Sequence, residues 1–292
     1  MSKFAQALMV WLYFITGACF ADELSFEWID FSGQSQTITL TIPLSRLQEG
    51  MLSGKDQISL KHVLSDAFMR AQAIAVSSSA SDQPMRVIGT ADNFFFAPKS
   101  RDATGSDKAN YLKQQLADEI NKSENRGYFI FDQQVSGLRP DYLSIIEDNK
   151  DIFLEAARRF TERFGREDPL ELINQLLSFL QQIPYDDMLN QPFPMATPIQ
   201  MLVEKRGDCE AKQIFLVGVL KVLFPDRELA LINLPEHNHI LSAIRLDVLL
   251  PSQKMRKGIA YVMMDATGPA RLPFGKVALY YLNSTPSVWI PL

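Results

Sequence analysis

The chain holds two cysteines and three histidines, and one of each stands where nucleophilic chemistry would need it. Cys209 follows Gly207-Asp208 at the predicted start of a helix. A helix N-terminus carries partial positive charge and unpaired amide protons, which stabilise a thiolate and lower the thiol pKa. The same amides can donate to the oxyanion that forms when sulfur attacks a carbonyl carbon. Gly207 allows the close approach that such a turn needs. A cysteine that merely fills a core would be expected mid-helix, on the apolar stripe of Ile214, Val217 and Leu220. Cys209 lies off that stretch.

A thiol nucleophile needs a base, and the base needs a group that orients it. His62, beside Lys61, reads as a solvated surface residue. His237 and His239 flank Asn238 just after Pro235, at the opening of a strand. If residues 239–248 and 259–265 are neighbouring antiparallel strands about a turn centred on Ser252, His239 falls opposite Asp265. His237 then falls opposite Thr267, beyond the second strand, and reads as a polar loop residue. A slip of one residue would send the side chains to the opposite face. The candidate set is therefore Cys209 as nucleophile, His239 as base and Asp265 as the acid that holds the imidazole's tautomer and stabilises its cation. Asp265 can also cap the turn Asp265-Ala266-Thr267-Gly268-Pro269, and the two roles are compatible. The histidine and cysteine spacing does not suit zinc, so no metal is expected.

These groups need a helix start and a sheet to hold them. Asp168-Pro169-Leu170-Glu171 supplies an N-cap, a proline at the first helical position and a capping-box glutamate. Leu170, Ile173, Leu176, Leu177 and Leu180 make one apolar face of that helix, which Pro184 ends. Thr197-Pro198-Ile199-Gln200 repeats the pattern for a short helix stopping at Gly207, and a third helix runs from Asp208 to Phe224-Pro225. Strands are expected at 228–234, 239–248 and 259–265, with the turn-like PSQKMRKG between the last two. Helices followed by an antiparallel sheet make an α+β domain. Upstream, residues 24–31 and 36–42 alternate like strands, residues 111–121 and 151–164 read as helices, and SSSASDQP at 77–84 and KSRDATGSD at 99–107 read as loops. The expected division is a leader at 1–21, a smaller α+β region of unassigned role at 22–140 and a site-bearing domain at 141–292.

The leader reading rests on Lys3, the apolar run Ala7 to Ala18, and small residues at Cys19 and Ala21 followed by Asp22 and Glu23. That is the anatomy of a secretory signal cleaved after Ala21. An uncleaved anchor or a lipid-modified Cys19 are the alternatives, and either would attach only this uncleaved or lipidated N-terminal segment, and nothing later in the chain, to a membrane. Cleavage would leave Cys209 without a disulfide partner, hence either a buried hydrophobe or a reactive thiol. The formal net charge of −5 implies no general affinity for nucleic acid or anionic lipid.

Four segments carry a resemblance. TPIQMLVEKRGDCEAKQIFLVGVLKVL resembles the transglutaminase-like pattern TP-x-E-x-L-x-x-G-x-GDC-E-D followed by an apolar helix. HILSAIRL resembles that superfamily's His-led strand, YVMMDATGP its Y-hydrophobic-hydrophobic-D-x-T signature, and FLQQIPYDD a segment of its bacterial cysteine proteinases. The likeness spans residues 140–270. It implies a papain-like core, a Cys209–His239–Asp265 triad and, by motif position, Gln181 as an oxyanion-hole donor. It departs at Lys205-Arg206, where relatives carry small residues or glycine, at Leu241, where an aromatic often stands, and at Ala211, where many relatives carry an acid. The last leaves a calcium site of the kind some relatives hold short of one acid, and no cofactor is expected. The expected activity is acyl transfer from an amide through a thioester, as a peptidase or amidase of the periplasm or exterior acting on a protein or peptide of the cell envelope. A crosslinking transglutaminase and a non-catalytic binding or assembly module are the alternatives.

Overall fold

The computed structural model describes residues 21–47, 58–78, 84–91, 93–99, 106–132, 137–187, 195–246, 253–256, 258–284 and 288–292. The expected leader, apart from Ala21, and most of the two polar loops at 77–84 and 99–107 lie outside the described residues. The chain is a mixture of helices and small antiparallel sheets.

Strands β1 (Ala21–Ile29) and β2 (Ser35–Pro43) form a hairpin, with Ile29 opposite Ser35. Asp30 builds its turn: Oδ1 accepts from the amides of Ser32 and Gln34, each at 2.9 Å. Period-two alternation then turns Ile38, Leu40 and Ile42 inward. The hairpin packs on α4 (Lys150–Phe164) and α5 (Pro169–Gln182). Trp28 sits among Phe160, Phe164 and Phe179 at ring separations of 6.0, 6.1 and 5.5 Å. Its indole N–H donates to Ser178 Oγ at 3.0 Å, so the buried polar end is satisfied. A second, smaller core joins α1 (Leu60–Ser77), β3 (Met85–Thr90), β4 (Asn93–Pro98), α2 (Ser106–Lys122) and β5 (Phe129–Asp132) around Ala71, Met85, Phe96, Leu116 and Phe131. Strand β6 (Gly137–Pro140) pairs with β5 and leads into α3 (Tyr142–Asp148). Packing thus divides the chain differently from sequence position. The β1–β2 hairpin shares the core of the C-terminal half, and the separate core belongs to residues between 67 and 131.

The helix starts follow from their caps. Asp168 Oδ1 accepts from the amides of Leu170 and Glu171 at 3.0 and 3.1 Å, with Pro169 next in line. Glu171 turns instead to Gln175, whose Nε2 it accepts at 2.8 Å. Thr197 caps α6 (Pro198–Glu204) through the Gln200 amide, and Asp208 caps α7 (Cys209–Leu223). From Cys209 to Leu220 every residue of α7 except Glu210 is buried, because helices pack on one side and a sheet on the other.

That sheet runs β11-β7-β8-β10-β9, formed by β7 (Leu229–Leu234), β8 (His239–Ile244), β9 (Gln253–Arg256), β10 (Ile259–Met264) and β11 (Val288–Pro291). Both faces are covered. Leu231, Ile240, Ile244, Val262 and Met264 belong to the main core with α7, while Ile232, Leu241, Ala243 and Met263 form a third cluster with Val277. This two-sided burial explains the unbroken apolar runs in these strands.

Two expectations are corrected here. The stretch around 251–258, read as a turn, contains β9, which pairs along the outer edge of β10. The register of β8 on β10 sets Met264 opposite Ser242. Extended to the strand ends, it brings His239 opposite Thr267 rather than Asp265. The shift is two residues, not one, so His239 and Asp265 keep the same face.

Candidate active site

Cys209 is the first residue of α7, and its neighbours arrive from every side. Gly207 forms a bridge with Tyr185: its amide donates to Pro184 O at 3.0 Å and its carbonyl accepts from the Asp186 amide at 3.1 Å. A Cβ at Gly207 would lie 2.8 Å from Met201 Cγ, so the position is close-packed. Asp208 Oδ1 accepts from the Ala211 amide at 2.8 Å and Oδ2 from the Ala196 amide at 2.9 Å. Helix α7 lies against β8, where Ser242 Oγ donates to Gln213 Oε1 at 2.5 Å, and the Ile240 amide, one residue after His239, is near enough to Cys209 to favour its thiolate.

Asp265 joins the same junction just past β10. Its Oδ2 meets His239 Nε2 at 3.2 Å, while Oδ1 accepts from the Thr267 amide at 2.9 Å and from Gln213 Nε2 at 3.3 Å. Both proposed roles of Asp265, partner of histidine and cap of its own turn, are therefore filled by separate oxygens. The imidazole stacks on Tyr281 of α8 (Leu279–Asn283), with ring centroids 4.6 Å apart and planes at 15°. With Nε2 turned to Asp265, Nδ1 is the ring nitrogen left for a second partner. His237 is exposed and bonds Ser284 Oγ, and His62 is exposed in the first turn of α1.

The electrostatics overturn one expectation. The helix start does not lower the Cys209 pKa. Burial pushes the thiol up, and Glu210 and Asp208 push it further, against the Ile240 amide. Cys209 is only 5% exposed, and its Sγ–H donates to Glu210 Oε2 at 2.8 Å. Two carboxylates at the helix start outweigh a helix end worth about half an elementary charge. Burial and Glu210 also push the Asp208 carboxyl up to about 7, although the Ala211 and Ala196 amides oppose them. Burial, aided by the charges of Cys209, Asp208 and Glu210, raises Tyr185 to about 12. The apolar-stripe argument is corrected as well, since α7 is buried all round from Ala211 to Leu220 and has no separate apolar stripe there from which Cys209 could stand apart.

Gln181 has a different occupation from the one its motif position implies. Its Nε2 donates to Asp265 O at 2.7 Å and Leu272 O at 2.8 Å, and its Oε1 accepts from the Leu272 amide at 3.0 Å. Both amide protons are committed to the backbone, so in this arrangement Gln181 braces the Asp265 turn and has no proton for an oxyanion. Lys205, at the glycine of the motif, adopts the left-handed conformation with φ 53°, which explains why glycine suits that place. Its ammonium donates to Ser25 O at 3.0 Å. The acids around the cysteine are engaged with amides and the thiol. Among the described residues no group of three or more His, Cys, Asp or Glu is arranged to hold a metal ion.

Sequence reasoning weighed Glu210 only as an acid of a calcium site and passed over Lys212, Gln213 and Tyr281. Lys212 and Gln213 carried a signal, two adjacent polar side chains inside an otherwise apolar helix. Tyr281 carried none, because α8 is reached only through the tertiary fold. A cavity of about 610 Å³ lies between α3, α4 and α7, lined in part by Ile146, Phe153, Gly218 and Val222. It adjoins the far end of α7, on the order of 14 Å or more from Cys209 by helical rise, and so belongs to other surroundings than the thiol. Among the described residues no helix is long and apolar enough to cross a membrane. No family model, curated protein or solved structure matches the chain.

Proposed function

We propose that this protein is a transglutaminase-like acyl-transfer enzyme, acting as a cysteine peptidase or amidase exported to the periplasm or beyond. The observation that carries the reading is the His239–Asp265 pair, Nε2 to Oδ2 at 3.2 Å, on the sheet that packs against the helix opening with Cys209. A helix opening on the nucleophile and packed against an antiparallel sheet also suits a papain-like core.

In this reading His239 Nδ1 takes the thiol proton, and the Cys209 thiolate attacks an amide carbonyl of a protein or peptide. The tetrahedral oxyanion is met by amides of the first turn of α7 that Asp208 does not occupy. Its collapse breaks the C–N bond, the imidazolium protonates the departing amine, and a thioester remains. Water, deprotonated by the same imidazole, then releases the acid and restores the thiol. If an amine takes the place of water, the product is a new amide and the enzyme is a transglutaminase. Asp265 orients the imidazole throughout and stabilises it whenever it carries the proton.

A second reading, a non-catalytic binding or assembly module, draws on one observation: the thiol is buried, with its pKa pushed up. The test is labelling by an electrophilic peptide probe, read by mass spectrometry on the wild type, Cys209→Ala and His239→Ala. Adduct formation that needs both side chains supports the enzyme. Labelling of Cys209 at the same rate without His239 favours the module.

A further inference from the structure

Lys212 is fully buried, as no other lysine or arginine among the described residues is. An ammonium taken out of water without compensation is costly, so its surroundings should reveal its use. Its Nζ donates to Ile183 O at 2.5 Å and to Thr267 O at 2.6 Å. These carbonyls belong to the segment after α5 and to the turn after β10, which Gln181 also ties together through Asp265 O and Leu272 O. Ile183 caps α5 and leads into Pro184-Tyr185, which holds Gly207 and thus the turn before Cys209. Thr267 closes the turn that aims Asp265, through its amide on Oδ1. Lys212 itself stands one helical turn beyond Cys209.

We propose that Lys212 is a positioning residue of this site, whose buried ammonium clamps the Asp265 turn and the Pro184–Gly207 bridge to the nucleophile helix and supplies positive charge opposite the Cys209 thiolate. The inference rests on the acyl-transfer reading, since the thiolate is what the charge would serve.

A neutral donor could bracket the same two carbonyls, so the charge needs its own reason. Burial lowers the Lys212 pKa to about 8, against the pull of Asp265, Asp208 and Cys209. The groups around the sulfur are otherwise acidic: Asp208 and Glu210 from the start of α7, Tyr142 from α3, Tyr185 from the segment after α5 and Tyr281 from beyond β10, while Asp265 faces Lys212. Among them Lys212 and His239, once protonated, carry the opposing charge. Arg139 also reaches Tyr142, but it is spent on Asp132. When Cys209 loses its proton, the nearby ammonium lowers the cost of the new anion. Through Thr267 it also keeps Asp265 turned to His239.

The test is the pH profile of Cys209 alkylation by iodoacetamide in the wild type, Lys212→Met and Lys212→Arg, alongside circular dichroism to verify folding. Lys212→Met is expected to move the profile to higher pH and to slow labelling at pH 8 about tenfold, with Lys212→Arg recovering part of the loss. Where a turnover assay exists, kcat should fall while KM stays close to wild type. A folded Lys212→Met with an unchanged profile overturns the proposal. So does a methionine variant that Lys212→Arg does not surpass. Should Lys212→Met fail to fold, Lys212→Gln, which keeps a donor for the carbonyls without the charge, takes its place, and a folded glutamine variant with an unchanged profile overturns the proposal. Failure of the acyl-transfer reading is seen separately, as labelling by the peptide probe that ignores His239.

Discussion

Glu210 is the side chain whose removal should most plainly change the thiol. Its carboxylate accepts the Cys209 proton at 2.8 Å, so ionising the thiol sets two negative charges at about that separation. Coulomb's law gives a repulsion of about 1.5 kcal/mol at this distance in a water-like dielectric, and several times more in a protein-like one. Glu210 is half-buried, so the water-like value is the floor. Glu210→Gln keeps an oxygen that can accept the thiol proton and removes only the charge. The thiolate fraction at pH 8 should then rise at least about tenfold, since 1.4 kcal/mol is a factor of ten. A less basic thiolate is also a weaker nucleophile, which returns roughly half of that gain on a logarithmic scale, so alkylation should accelerate about threefold or more. The assay is the second-order rate of iodoacetamide labelling between pH 6 and 10, with Cys209→Ala as the blank. A profile displaced to lower pH with faster labelling at pH 8 is the expected result. An unchanged or slower rate in the folded variant would refute the reasoning, because it would mean that burial alone, and not the adjacent charge, holds the proton on sulfur.

Asp208 should leave a signature in stability. Its folded pKa of about 7 lies above the ordinary 3.8, so the folded state keeps a proton that the unfolded chain releases. The resulting stabilisation is fully present below pH 3.8 and is lost as pH rises through 7, with a ceiling on the order of 4 kcal/mol. Urea unfolding of the wild type at pH 4.5 and 7.5 should show that decline, and Asp208→Asn should flatten it; equal slopes in both proteins would contradict the assignment. Gly268→Ala forces a Cβ to within 2.3 Å of Gln181 O at a residue with φ 70°, and should lower unfolding free energy by about 2–4 kcal/mol. A melting temperature equal to wild type would count against it. Lys205→Gly relieves a left-handed backbone worth roughly 1 kcal/mol but loses the bond to Ser25 O. Its melting temperature should equal or exceed that of the wild type, and a clear drop would show that the ammonium outweighs the strain.

Local rules account for what the amino-acid order determined by itself. Asp168-Pro169, Thr197-Pro198 and Gly207-Asp208 announce three helix starts, because capping needs only a side-chain oxygen a few residues from an unpaired amide. Alternation over 24–31 and 36–42 and the apolar runs of β7, β8 and β10 announce strands for an equally local reason. Cys209 and His239 were legible because the chain holds only two cysteines and three histidines, whereas Asp265, one of many acids, was singled out by an assumed strand pairing and by the motif. Tertiary structure decided the rest. Residues 253–256 of the turn-like PSQKMRKG became an edge strand because β10 had a row of unpaired backbone groups to fill. The β8–β10 register moved by two residues because the connection is not a simple hairpin. Above all, the thiol's ionisation was set by burial and by Glu210 and Asp208, not by the helix end alone. Desolvation and Coulomb energy depend on distances across the fold, and no reading of spacing along the chain contains them.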